Sequence, residues 1–113
     1  MKILIVGGAH QGKADYARRR YPQLEPVERL HLRVREVMEA GGDPAALAAQ
    51  LEERGDWLAV CDEVGGGVVP VDAFDRRWRE EVGRLCCALA ERADVVEQIT
   101  CGLPLRLKGR EHP

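Results

Sequence analysis

The sequence has no excess of positive charge: 17 Lys and Arg stand against 19 Asp and Glu, a net charge of −2. A nucleic-acid-binding domain usually carries a basic surplus, so nucleic acid is not an expected partner. No apolar run approaches the ~20 residues needed to cross a bilayer, so no membrane span is expected. The opening Met1–Val6 run is short and passes straight into glycines without a small-residue cleavage site. It reads as a buried strand rather than a leader peptide, and it predicts a cytoplasmic protein. The four cysteines (Cys61, Cys86, Cys87 and Cys101) never fall in C-x-x-C spacing, and no His pair accompanies them. That removes the zinc signatures and leaves core thiols as the simplest reading. Internal repeats and low-complexity tracts are also missing.

What remains is the composition of a soluble globular chain, 45% hydrophobic and 32% charged over 113 residues. One domain, residues 1–113, is the expectation. Residues 2–6 are a short β-branched apolar run ended by Gly7-Gly8, a buried strand. A helix is expected from Lys13 to Arg20, stopped at Tyr21-Pro22, and residues 21–25 form a loop. Pro26 fits the first turn of a second helix, about 26–40, with Val27, Leu30, Val34, Val37 and Met38 as its stripe. Asp43 and Pro44 open a third helix ending near Arg54. Trp57–Cys61 is a second buried strand with Asp62-Glu63 at its end, and Val64–Pro70 is a glycine-rich loop. A long helix runs from about Val71 to Arg92, and Asp94–Thr100 is a third strand. The tail 103–108 contains Pro104, which argues against a central strand and allows an edge. This order predicts an α/β fold, a small P-loop-type three-layer domain with a mostly parallel sheet of few strands and helices on both faces. A narrow sheet with an open edge predicts a homo-oligomer.

The chemistry is concentrated in Gly7-Gly8-Ala9-His10-Gln11-Gly12-Lys13-Ala14. This fits the phosphate-loop pattern G-x-x-x-x-G-K at the first strand–helix junction, where that pattern belongs. Glycines let main-chain N–H groups turn inward on an anion, the helix N-terminus adds positive potential, and Lys13 would reach the terminal phosphates. Ala14 replaces the Ser or Thr whose hydroxyl ordinarily ligates the nucleotide's Mg²⁺. Asp62 and Glu63 stand at the carboxyl end of a strand, where ligands bind in open α/β sheets. They read either as a metal-holding or hydroxyl-orienting pair or as an ordinary solvated pair.

Ile3–Lys13, Asp62-Glu63-Val64-Gly65-Gly66-Gly67-Val68-Val69-Pro70, Arg76–Arg84 and Gly102-Leu103-Pro104-Leu105-Arg106-Leu107-Lys108 resemble the bifunctional adenosylcobinamide kinase/adenosylcobinamide-phosphate guanylyltransferase family of cobalamin biosynthesis. The resemblance implies a P-loop fold, ATP or GTP as phosphoryl donor with Mg²⁺ as an optional companion, and a corrinoid as second ligand. It places Lys13 and Glu63 as catalytic residues, Gly7–Ala14 around the nucleotide, and Asp62 as metal ligand. Departures accompany it. Between the first helix and Leu30 the family's strand and the helix bearing its guanylylated histidine are not matched. Glu28-Arg29 stand where the family has a strand-end Asp, and His31 falls where it has another residue type. His31 therefore reads as an ordinary helix residue. The expectation is a shortened nucleotide-binding relative with corrinoid kinase character and without guanylyl transfer, the alternative being a non-catalytic nucleotide- or corrinoid-binding accessory module.

Overall fold

The computed structural model describes residues 1–64 and 72–109, arranged as five strands and four helices. They run β1 (Lys2–Gly7), α1 (Lys13–Arg20), β2 (Pro26–Val27), α2 (Leu30–Glu39), α3 (Ala46–Glu53), β3 (Trp57–Asp62), α4 (Ala73–Arg92), β4 (Val95–Thr100) and β5 (Leu103–Lys108). The glycine-rich segment expected to follow Val64, and the expected helix start at Val71, lie outside the described residues.

The strands form one sheet in the order β2-β3-β1-β4-β5. β1 pairs in parallel with β3 on one side and β4 on the other, and β2 pairs in parallel with β3. β5 returns antiparallel to β4. The chain therefore builds outward from β1 in both directions, which makes the carboxyl end of β1 a topological switch point, the place where such sheets bind ligands.

Alternation along the buried strands sorts the core into two layers. Ile3 and Ile5 of β1 pack with Leu58 and Val60 of β3 against Ala17 and Tyr21 of α1. Leu4 and Val6 point the other way, with Trp57, Ala59 and Cys61, into a larger core made with Leu30, Val34, Leu47, Leu51, Val82, Leu85 and Leu89. Successive side chains of a strand face opposite sides, so these near-continuous apolar runs are what a sheet covered on both faces requires. α1 covers one face; α2, α3 and α4 cover the other. This is the expected three-layer α/β architecture.

Four expectations change. Pro26 does not open a helix: Pro26-Val27 is a two-residue edge strand opposite Leu58-Ala59. Proline is tolerated on an edge because its missing N–H leaves no ladder bond broken, and Val27 buries its side chain in the larger core. A strand between α1 and Leu30 is thus retained, in minimal form. Second, the sheet has five strands rather than three, because β2 is too short to show a period and the tail forms β5. Third, Asp43 does not cap α3 directly. Its Oδ1 accepts from the Ala45 N–H at 3.0 Å, making a turn ahead of Ala46. Fourth, the core-thiol reading holds for Cys61, which is buried, but Cys87 and Cys101 are exposed and Cys86 is half-buried. Cys101 is not in a strand; it sits in the β4–β5 turn with φ 52°.

Asp72 caps α4, its Oδ1 accepting from the N–H groups of Phe74 (2.7 Å) and Asp75 (3.3 Å). β5 leaves Leu103, Leu105 and Leu107 exposed at alternate positions.

Candidate functional site

The segment from Gly7 to Gly12 turns the chain from β1 into α1. Gly7 is required by close approach: a Cβ there would lie 2.5 Å from the carbonyl oxygen of Ile99 in β4. Gly12 takes the left-handed region, φ 81°, immediately before α1, where any other residue would be strained. His10 adopts the same region without being glycine, φ 60°. Such non-glycine positions persist where the surrounding structure fixes them. Here the fixing contacts come from the β4–β5 turn and from Glu63, just after β3. Cys101 N–H donates to Gln11 Oε1 at 2.6 Å, Gly102 N–H to the Gln11 carbonyl at 2.9 Å, and Glu63 N–H to the Gly7 carbonyl at 2.8 Å.

Lys13, the first residue of α1, folds back under this loop. It is 6% exposed, and its Nζ donates to the Gly8 carbonyl at 2.6 Å and pairs with Asp62 Oδ1 at 2.7 Å. A lysine is rarely so buried unless it is paired. The other carboxylate oxygen of Asp62 lies 3.4 Å from His31 Nε2, and the Asp62 N–H donates to His31 Nδ1 at 3.2 Å. Because Nδ1 accepts, the neutral ring carries its proton on Nε2, facing Asp62. Burial pushes the His31 pKa below its ordinary value, opposed by the Asp62 charge and reinforced by Lys13 and Arg29. Trp78 of α4 fixes the start of α2 by donating Nε1–H to the His31 carbonyl at 2.8 Å.

These groups wall a cavity of about 390 Å³ at the carboxyl end of β1 and β3, lined by Ala9 through Asp15 on one side and by Glu28, Arg29, His31 and Leu32 on the other. Two helices, α1 and α2, present their N-termini to it, and neither has a side-chain cap. The first turn of an α-helix leaves N–H groups without intrahelical acceptors, so the cavity concentrates unsatisfied donors as well as cationic side chains.

The loop residues Gly7–Ala14, Lys13 and Asp62 come together here as the sequence pattern places them. Glu63 is beside them but exposed, with Gln98 Nε2 donating to its Oε1 at 3.2 Å. Ala14 lines the cavity and offers no hydroxyl. Among the described residues no three His, Cys, Asp or Glu side chains gather in a way that could hold a metal ion. Sequence reasoning missed His31 and Arg29, which reach the site only because β2 is short and brings α2 up to the end of β3. The sole signal was a His and an Arg at the start of an apolar helix.

A second polar cluster lies beneath α1, on the sheet face that α1 covers. Glu97 of β4, 2% exposed, accepts from the hydroxyls of Tyr16 (2.7 Å) and Tyr21, and lies 3.6 Å from Arg106 Nε of β5. Burial first, then the hydrogen bond to Glu97, pushes the Tyr16 pKa up to about 12 and raises that of Tyr21 as well. This cluster ties α1, and with it Lys13, to the sheet.

A mostly parallel five-stranded sheet, a glycine-bounded loop after its central strand and a buried lysine opening the next helix define a small P-loop-type α/β domain. The chain belongs to the cobinamide kinase / cobinamide phosphate guanyltransferase family, whose model matches residues 35–107, more than half of its length. That match runs from within α2 to β5, so the Gly7–Lys13 loop lies outside it. The chain is also 42% identical over 69 residues to the bifunctional adenosylcobalamin biosynthesis protein CobP of Pseudomonas aeruginosa. The alignment takes in 60% of this chain and 40% of that relative. Well under half of the relative's length is therefore represented here. No helix among the described residues is long and apolar enough to cross a membrane.

Proposed function

We propose that the cavity between the N-termini of α1 and α2 binds the phosphates of ATP or GTP, in a role related to phosphorylation of a corrinoid side-chain hydroxyl. The observation that carries this reading is Lys13: a nine-tenths-buried ammonium under a glycine-bounded loop, at the switch point of the sheet. Phosphoryl transfer is largely positioning and charge neutralisation. Gly7–Ala14 would cradle the phosphates, and Lys13 would move from Asp62 to the terminal phosphate. Glu63, exposed at the end of β3, would orient the acceptor hydroxyl. Guanylyl transfer is not part of the proposal, because only the residues from Tyr21 to Arg29 separate α1 from α2, too few for a further histidine-bearing helix there.

A second reading is a binding module that holds nucleotide without turning it over. Ala14 favours it, since the residue removes a metal ligand that catalysis in this fold ordinarily uses. Isothermal titration with ATP and GTP, paired with a phosphorylation assay on a cobinamide acceptor, separates the two. Binding lost in Lys13→Ala together with turnover supports the kinase. The same binding without turnover supports the module. Equal heats for wild type and Lys13→Ala overturn both.

A further inference from the structure

The residues around the loop do not fit the Mg²⁺ that accompanies nucleotides in P-loop proteins, and they do fit an anion held by protein cations. Ala14 has no hydroxyl to offer. Both oxygens of Asp62 already face cationic or N–H groups, Oδ1 with Lys13 at 2.7 Å and Oδ2 with His31 Nε2 at 3.4 Å. The other carboxylates on the cavity wall, Asp15 and Glu28, both pair with Arg18, at 3.5 Å and 2.5 Å. Each acidic side chain lining the cavity is therefore committed to a base.

Arg29 is not. It lines the same cavity, it is exposed, and among the described residues its guanidinium has no carboxylate, hydrogen-bond or ring partner. Its backbone is held in the left-handed region, φ 54°, as the residue that starts α2. Left-handed backbone at a non-glycine residue is strained and persists where the surrounding structure fixes it. The arrangement leaves one fork of five N–H donors at the cavity wall opposite Lys13. A guanidinium recognises phosphate oxygens bidentately and carries its charge at every accessible pH.

Resting on the nucleotide-phosphate reading above, we propose that the site takes the terminal phosphates of a nucleoside triphosphate free of divalent metal, with Arg29 supplying the second positive charge beside Lys13. Glu28 stays on Arg18 and does not compete for it. His31, kept neutral by burial, donates Nε2–H to Asp62 once Lys13 has left that carboxylate for the ligand, so the carboxylate keeps a partner.

The test is titration of the full chain with ATP, GTP and inorganic triphosphate, in EDTA and in excess Mg²⁺, for wild type, Arg29→Gln and Arg29→Lys. Arg29 is exposed, so its variants should fold as wild type does; circular dichroism checks this. The proposal expects wild-type affinity to differ by less than about threefold between EDTA and Mg²⁺. It expects Arg29→Gln to weaken binding in EDTA by about tenfold or more, with Arg29→Lys in between, the scale of one charge-assisted phosphate contact. Binding that needs Mg²⁺, or that ignores Arg29→Gln in EDTA, overturns this inference and leaves the nucleotide reading standing. No binding of any of the three probes under either condition overturns both.

Discussion

Lys13 Nζ lies 2.7 Å from Asp62 Oδ1, joining the residue that opens α1 to the residue that closes β3. The pair is unequal in exposure: Lys13 is nearly enclosed, while a quarter of the Asp62 side chain is open to the cavity. An ion pair of this kind holds a cation in reserve. An incoming anion can replace the carboxylate without the lysine ever being left unpaired, which avoids the cost of an isolated buried charge.

His31 makes the stability of this corner pH-dependent. Its folded pKa is depressed below 6.5, chiefly by burial. Below about pH 6.5 the unfolded chain protonates this residue and the folded one resists, so the unfolded state binds more protons and stability falls as pH drops. Above that pH both states are neutral and the contribution is flat. Urea midpoints measured between about pH 7.5 and 5.5 should decline in wild type and decline less in His31→Gln. Parallel curves for the two proteins would remove His31 from the account.

Glu97 anchors α1 to the sheet. Glu97→Ala strips the Tyr16 and Tyr21 hydroxyls of their common acceptor and Arg106 of an ion-pair partner at 3.6 Å, and should cost about 3–5 kcal/mol in chemical denaturation. Tyr16→Phe removes one hydrogen bond and should cost about 1 kcal/mol. Raising the Tyr16 pKa from 10.0 to about 12 adds an alkaline prediction. The folded state keeps that proton while the unfolded chain releases it, so stability should fall as pH rises from about 10 to 12, and Tyr16→Phe should lack its share of that loss.

Ala14→Ser restores a hydroxyl at the first turn of α1. It should create a dependence on Mg²⁺, tightening ATP or GTP binding by about tenfold in Mg²⁺ over EDTA. Calorimetry checks this, and an unchanged ratio counts against the loop as a nucleotide cradle.

Leu103, Leu105 and Leu107 expose a stripe on β5, which forms the edge of the sheet. An open apolar edge favours association. Leu105→Lys should shift sedimentation velocity profiles toward the monomer while leaving the thermal midpoint within a few degrees; profiles identical to wild type would contradict that.

How much of this could be read from the chain depended on range. β1, α1, β3 and α4 carry periods long enough to show: α1 was legible from Lys13 to Arg20, and β3 from Trp57 onward. The Gly7–Lys13 turn between β1 and α1 was legible too, because its pattern is local. β2 was not, since two residues have no period and Pro26 looks equally like a helix start. β5 was legible only as a permitted edge. The pairing of His31 with Asp62 and the enclosure of Glu97 by Tyr16, Tyr21 and Arg106 join positions far apart in sequence, and no local rule brings them together. Arg29 was visible only as a residue standing where the family has another type. Its role follows from the pairing of each carboxylate that lines the cavity, Asp15, Glu28 and Asp62, with another base.

The most direct measurement is a crystal structure of the full chain with ATP or GTP. The account predicts triphosphate density within the Gly7–Lys13 turn, with Lys13 Nζ transferred from Asp62 to the terminal phosphate. A Lys13–Asp62 pair that stays closed in saturating nucleotide, with no phosphate against the loop, would contradict it.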